Sequence, residues 1–248
     1  MKTQLIRTLL IGFVFLPHLL SAQLAAEKII ELMEKNQVHN TAKFSGKLII
    51  TNRFGTKTKT FNAVSEGSTK LLIEFTNKEE RGQKILRLND EIYVYYPKAE
   101  GVMRLKGGAL KDSIFGSDFS YEDLTGERDL LQAYQVELVS PDPVAVDGIA
   151  CYHLRLAGRV PLAYPYQELW IEAKRFYLLK AVYFSLTKVP LKELRVTQTT
   201  EQANKIFPTR FIMSDLQKKD STTEFIIENM QLDLALDSRQ FSLERLKF

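Results

Sequence analysis

Apolar residues first recur along the chain at helical spacing. Ala26, Ile29, Ile30 and Met33 fall on one face, with Glu27, Lys28, Glu31, Glu34 and Lys35 on the other. Asn36 and the polar stretch to Thr41 end this helix. The period then changes to two, and residues 44–51, 56–65, 69–76, 84–89 and 91–96 read as successive strands. Turn residues separate them: Asn52-Arg53-Phe54-Gly55, Glu66-Gly67-Ser68, the stretch 77–82 and Asn89-Asp90. A second series covers residues 134–140, 150–157, 167–173, 177–186, 191–200, 206–216 and 222–234. Alternation is clean in places: Leu71, Ile73 and Phe75 share one face, as do Leu169, Ile171 and Ala173. About a dozen strands joined by short turns predict an antiparallel meander, because parallel βαβ units would need helical crossovers.

Residues 97–133 break the pattern. They lack period two, carry Gly101, Gly107, Gly108, Gly116 and Gly126, and part the two strand series. A stretch of that length inside a compact domain points to a functional or mobile element. One amphipathic helix is little cover for so long a meander. A strongly curved sheet that wraps toward a barrel, plugged by the helix and a loop, would enclose an apolar cavity.

The first residues read as an address. Lys2 and Arg7 precede the uncharged apolar run 9–15, Pro17 and His18 interrupt it, and Ser21 and Ala22 follow. That layout predicts a signal peptide over residues 1–22, since the run is short of the roughly 20 apolar residues a spanning helix needs. Residues 23–248 then form one exported domain, with a periplasm as the expected compartment and no membrane-spanning segment.

Composition narrows the chemistry. The 248 residues hold 34 Lys+Arg against 30 Asp+Glu, a net charge of +4 of which Lys2 and Arg7 supply two. This balance argues against a nucleic-acid partner, even though Tyr93, Tyr95, Tyr96, Tyr164, Tyr166 and Trp170 could offer stacking platforms; a sugar-binding strand face stays open. A single cysteine, Cys151, leaves no intrachain disulfide and no multi-cysteine metal site; in a strand between Ala150 and Tyr152 it reads as a small buried hydrophobe. His39 and His153 stand at no metal-ligand spacing. The chain has no G-x-S-x-G elbow and no phosphate-cradling glycine motif, so neither an enzyme nor a cofactor is expected. The acidic group Asp118, Glu122 and Asp123 fits a structural role better than catalysis. Asp118 and Ser117 would satisfy backbone donors of an irregular loop, which Phe115, Phe119 and Tyr121 would dock on the sheet.

Within that loop lies the string I-F-G-S-D-F-S-Y-E-D-L (residues 114–124), preceded by Y-P-K-A-E-G-V-M-R-L from Tyr96. With V-D-G-I-A-C-Y-H-L (146–154) and E-L-W-I-E (168–172), it resembles the outer-membrane lipoprotein-sorting family, relatives of the periplasmic carrier LolA. One departure is Thr187-Lys188-Val189-Pro190, where relatives often carry a glycine-containing hairpin turn. The resemblance implies a mainly β, LolA/LolB-like fold: a single strongly curved antiparallel sheet forming an incomplete, half-open β-barrel. An N-terminal helix and a lid of loop and short helix would cover it. It further implies a carrier for lipoprotein acyl chains or other lipids on the way toward the outer membrane, handing lipid to or from an inner-membrane transporter of the RND type, with an outer-membrane acceptor. A protein-binding envelope sensor or transporter accessory of the same fold is the alternative.

The expected lid is residues 97–124 together with the helix. Gly116, Ser117, Asp118, Tyr121 and Asp123 form its motif loop. The expected cavity lining is Leu71, Ile73, Phe75, Tyr93, Tyr95, Met103, Phe115, Phe119, Trp170 and Phe184.

Overall fold

The computed structural model describes residues 25–125 and 129–247. The expected signal peptide, residues 1–22, and Gly126 lie outside the described residues. Helix α1 (Ala26–Gln37) leads into β1 (Thr41–Asn52), β2 (Gly55–Glu66), β3 (Lys70–Phe75), β4 (Lys84–Leu88), β5 (Glu91–Tyr96) and β6 (Gly101–Leu105). Short helices α2 (Tyr121–Thr125) and α3 (Leu130–Ala133) precede β7 (Tyr134–Leu138), β8 (Val144–Val146), β9 (Ile149–Gly158) and β10 (Tyr166–Glu172). The chain continues through β11 (Leu178–Phe184), β12 (Pro190–Gln202), β13 (Lys205–Asp215) and β14 (Thr222–Leu232).

All fourteen strands lie in one antiparallel sheet of order β6-β5-β4-β3-β2-β1-β14-β13-β12-β11-β10-β9-β7, with β8 on β9. Pairing of β1 with β14 joins the two series; β6 and β7 are unclosed edges, so the sheet is an open barrel. Two of these strands differ from the sequence reading. β6 lies inside the stretch expected to lack strands, and β8 is too short to show a period. Gly46 on β1 is needed where β1 meets β14, because a Cβ there would collide with the Ile226 carbonyl and the Phe61 ring.

The sheet has an inner and an outer face, each with its own cover. On the inner face Leu48, Ile50, Phe61, Ile73, Phe75, Ile85, Ile92 and Val94 form one core with Ile114, Phe119 and Tyr121 of the lid. A second inner core is capped by α1, whose four predicted apolar positions pack against Leu154, Leu156, Leu169, Ile171 and Ala181. Ile29 and Ile30 are fully buried, each side chain stabilising this packing by roughly 1.5–3 kcal/mol. Glu27 in the first turn and Lys35 in the last suit the helix dipole. Asn36 Nδ2 donates to the carbonyls of Arg175 and Phe176, fixing the helix end on the β10–β11 turn.

The outer face carries a cover that the strand pattern did not reveal. Two 3-10 turns, Ser238–Phe241 and Arg245–Lys247, place Phe241 and Leu246 on Leu86. Val64, Leu72, Tyr93, Tyr95 and Val102 pack around them.

Candidate functional site

A cavity of about 810 Å³ lies on the inner face between the two cores. Its volume falls within the ~300–1,000 Å³ typical of small-ligand sites. Its floor is the inner side of β10–β13: Leu169, Leu178, Tyr183, Leu194, Phe211 and Met213. Met33 of α1, Leu130 of α3 and Leu162 of the β9–β10 loop form walls, and Phe119 enters from the lid. Polar groups line it as well: Glu34, His39, Ser68, Glu122, Asp123, Asp129 and the buried Tyr164 and Gln167. Val38, Ser68 and Pro161 are exposed, so the cavity opens to solvent.

The lid is held by two polar fastenings. At the first, Asp118, buried in the motif loop, accepts from Ser221 Oγ (2.5 Å) and Thr223 Oγ1 (2.8 Å) of the β14 segment. Its own amide donates to Thr223 Oγ1 at 2.8 Å. This corrects the expected role: Asp118 is met by side-chain hydroxyls of a distant strand, not by backbone donors of its own loop. Ser117 Oγ donates to the Phe119 carbonyl at 3.1 Å. Phe115 and Gly116 take left-handed φ of 49° and 81°, which turns Phe115 onto Phe75 with ring centroids 4.7 Å apart.

The second fastening centres on Asp123. Its carboxylate accepts from the Ser120 amide (2.7 Å) and hydroxyl (2.9 Å), from Tyr164 OH (2.6 Å) and from Lys192 Nζ (2.7 Å). Lys192 also donates to Ser120 Oγ at 3.2 Å. Helix α2 is thereby clamped to β12 and to the β9–β10 loop. Burial and the Asp123 carboxylate both push the Tyr164 phenol up, so it stays a neutral donor. Burial first, and Asp123 second, raise Glu122 above the ordinary carboxylate range. Arg87 Nη1 donates to the Leu124 carbonyl at 2.7 Å, closing the C-terminal end of α2. Tyr121 is buried against the inner core, and burial followed by the neighbouring Tyr96 raises its phenol.

The expected lining residues fall into two sets. Leu71, Ile73, Phe75, Phe115 and Phe119 come together on the inner face, and Phe119 borders the cavity. Tyr93 and Tyr95 lie on the outer face beneath Phe241 and Leu246, because Ile92 and Val94, with which they alternate, take the inner positions. Trp170 also points outward, stacked on His153 at 4.3 Å with Lys180 Nζ 4.9 Å from its ring. Phe184 pairs with Tyr166 and alternates with Tyr183, which faces the cavity. Met103 pairs with Val94 on edge strand β6 and is half exposed. Sequence reasoning missed the cavity floor on β11–β13; the signal available was Leu194 between charged neighbours, and Phe211 and Met213 two positions apart on one face of β13.

Chemistry at the site is sparse. Among the described residues no three His, Cys, Asp or Glu side chains group as a metal site. Burial, with Glu172 and Asp147 near, pushes the Cys151 thiol up to about 11, away from nucleophilic use. Ser120 and Lys192 touch, but both are bound to Asp123, and Ser120 is buried. What the arrangement can do is enclose apolar matter.

A family model described as "Uncharacterized protein" matches residues 67–248. No curated protein matches the chain. Among solved structures, a DUF1329 family protein from Desulfovibrio piger has a TM-score of 0.81 at 21% identity, covering 90% of this chain and 99% of its own. A domain assigned to outer membrane lipoprotein sorting from Vibrio parahaemolyticus scores 0.81 at 18% identity, covering 90% and 98%. A LolA superfamily protein from Nitrosomonas europaea scores 0.74 at 20% identity, covering 90% and 99%. The fold is thus that of the lipoprotein-sorting domains, as the G-S-D-F-S-Y-E-D-L string implied.

Proposed function

The chain belongs to the family whose model spans residues 67–248, and from its fold and its cavity we propose that it is a non-enzymatic periplasmic carrier. Its cargo is the acyl chains of lipoproteins or other lipids, exchanged with an inner-membrane transporter of the RND type and passed toward an outer-membrane acceptor. Residues 1–22 act as the export signal and residues 23–248 as one carrier domain.

The single observation that carries this reading is the apolar cavity between α1, the lid and the floor of β10–β13. Burying acyl chain there stabilises the complex by about 0.8 kcal/mol per methylene. Leu71, Ile73, Phe75 and Phe115 pack beside the cavity and would join the lining as the lid lifts, a shift that cargo contact can favour only by binding the lifted state better.

The test is uptake of a fluorescent fatty acid and of an acylated peptide by the purified chain. Leu169→Glu and Met213→Glu place a carboxylate on the cavity floor and should abolish uptake in a protein that remains folded by circular dichroism. Trp170→Glu, on the outer face, should leave it intact. Full uptake by both floor variants would overturn the carrier reading and favour a protein-binding module of the same fold.

A further inference from the structure

Six hairpins turn toward one end of the sheet; besides the β3–β4 turn (76–83) and the β5–β6 turn (97–100), four carry exposed apolar tips. The registers Asn52↔Gly55, Tyr166↔Ala157, Phe184↔Pro190 and Ser214↔Thr222 put the β1–β2, β9–β10, β11–β12 and β13–β14 turns on that end. In the sheet order their strands are consecutive neighbours, from β2 to β9.

These turns do not look like ordinary polar loops. Each projects a large apolar side chain into water: Phe54 is 82% exposed and Leu186 74%, and Val160, Val189 and Leu216 are also exposed. The turns are ordered. The Phe54 amide donates to Asn52 Oδ1 at 2.9 Å, and the Val189 amide to Ser185 Oγ at 3.1 Å. The Leu216 amide donates to the Leu191 carbonyl at 2.9 Å and Gln217 Nε2 to the Pro190 carbonyl at 2.6 Å, tying two of the tips together. Lys188 adopts φ 61°, the position a glycine would fill, and its ammonium lies 5.0 Å from the centre of the Tyr166 ring. The opposite end of the sheet is different in kind: its hairpins turn through Gly67-Ser68, Asn89-Asp90, Ala173-Lys174-Arg175 and Ala203-Asn204.

Charge follows the same division. On and beside the four apolar-tipped turns Arg53, Lys57, Arg159, Lys188, Lys218 and Lys219 are exposed, against Asp215, which pairs with Lys218, and Asp220; the other two turns of this end add Lys78, Arg81 and Lys98 against Glu79, Glu80 and Glu100. The Arg53 guanidinium sits 4.6 Å from the centre of the Phe54 ring. Exposed apolar anchors ringed by cations match a surface that is apolar within and anionic at its boundary.

We propose that this end of the sheet docks on an anionic phospholipid bilayer, its apolar tips entering the headgroup region and its cations meeting lipid phosphates. The β9–β10 loop belongs both to this end and to the cavity wall, through Leu162 and Tyr164, so the docked carrier presents a side of its cavity to the membrane. The assignment stands on the tips themselves and does not require the cavity to hold lipid.

The test is flotation of the full chain with vesicles of phosphatidylethanolamine and phosphatidylglycerol, and with vesicles of phosphatidylcholine alone. Binding to the anionic vesicles is expected, weakened by salt. The variant Phe54→Ser/Leu186→Ser/Leu216→Ser should lower the bound fraction by about tenfold or more. Leu186→Trp in a Trp170→Phe background should be quenched by brominated lipid. No binding, equal binding by the triple variant, an unquenched tryptophan, or capture only by membranes that retain their proteins would each overturn the proposal. Uptake of the acyl probe by the triple variant should match the parent's; loss of uptake together with vesicle binding would overturn the tips as a separate surface.

Discussion

Replacing Lys192 by Met keeps the apolar stem of the side chain and removes the ammonium that holds Asp123. The two side chains are 15% and 9% exposed and meet at 2.7 Å, so the pair is largely out of water. Removing one partner of a buried pair costs about 3–5 kcal/mol where the other charge is left uncompensated. Here Asp123 keeps the Ser120 amide, the Ser120 hydroxyl and the Tyr164 phenol, which brings the expected loss to about 2–3 kcal/mol. For a chain of this size that corresponds to a fall in Tm of roughly 4–12 °C. Urea unfolding followed by circular dichroism gives the free energy directly. Adding Asp123→Asn removes the stranded charge, so the double variant should recover much of the loss, with a coupling energy above about 1 kcal/mol. Hydrogen exchange over residues 120–124 should quicken in Lys192→Met while the amides of α1 stay protected. A loss below about 0.5 kcal/mol, or single-variant effects that simply add, would refute the view that Asp123 and Lys192 clamp the lid.

Leu246→Ala should cost about 2–4 kcal/mol by thermal unfolding, since this fully buried side chain seals the outer face over Leu86. Gly46→Ala should be destabilising by about 1–3 kcal/mol in the same assay, from the forced displacement of β14 or of the Phe61 ring. Glu122→Gln should raise stability at neutral pH. Its raised folded-state pKa means that ionisation is costlier in the folded chain than in the unfolded one; that penalty is present above the folded-state value and absent below the ordinary 4.5. The gain in urea midpoint over the parent should therefore vanish as pH falls below 4.5, and a gain that persists there would contradict the assignment.

Much of the fold was legible because its two periods are clean. The helical spacing of Ala26, Ile29, Ile30 and Met33 named the face that caps the second inner core, and the short turns named the meander. The site was legible only in part, for a reason visible in particular strands. Leu71, Ile73 and Phe75 alternate with Leu72 and charged residues, and the inner face they were assigned is the one they occupy. The run Ile92 to Tyr96 is apolar or aromatic at every position and packs on both faces, so alternation could not say which set looked inward. The same holds for Leu169-Trp170-Ile171. The C-terminal cover escaped notice because Phe241 and Leu246 sit in 3-10 turns too short to show a period. The Asp123 clasp joins residues 41 and 69 positions apart, a distance over which spacing carries no signal. The string around Asp118 did carry one, but its partners on β14 could be found only from the fold.

The central claim, that the cavity carries lipid, is tested most directly by native mass spectrometry. The chain would be produced from its full coding sequence in an exporting host and purified without detergent. A discrete adduct of lipid mass is expected, lost on organic extraction and absent from Leu169→Glu. A clean unliganded mass that takes up neither added phospholipid nor acylated peptide would contradict it.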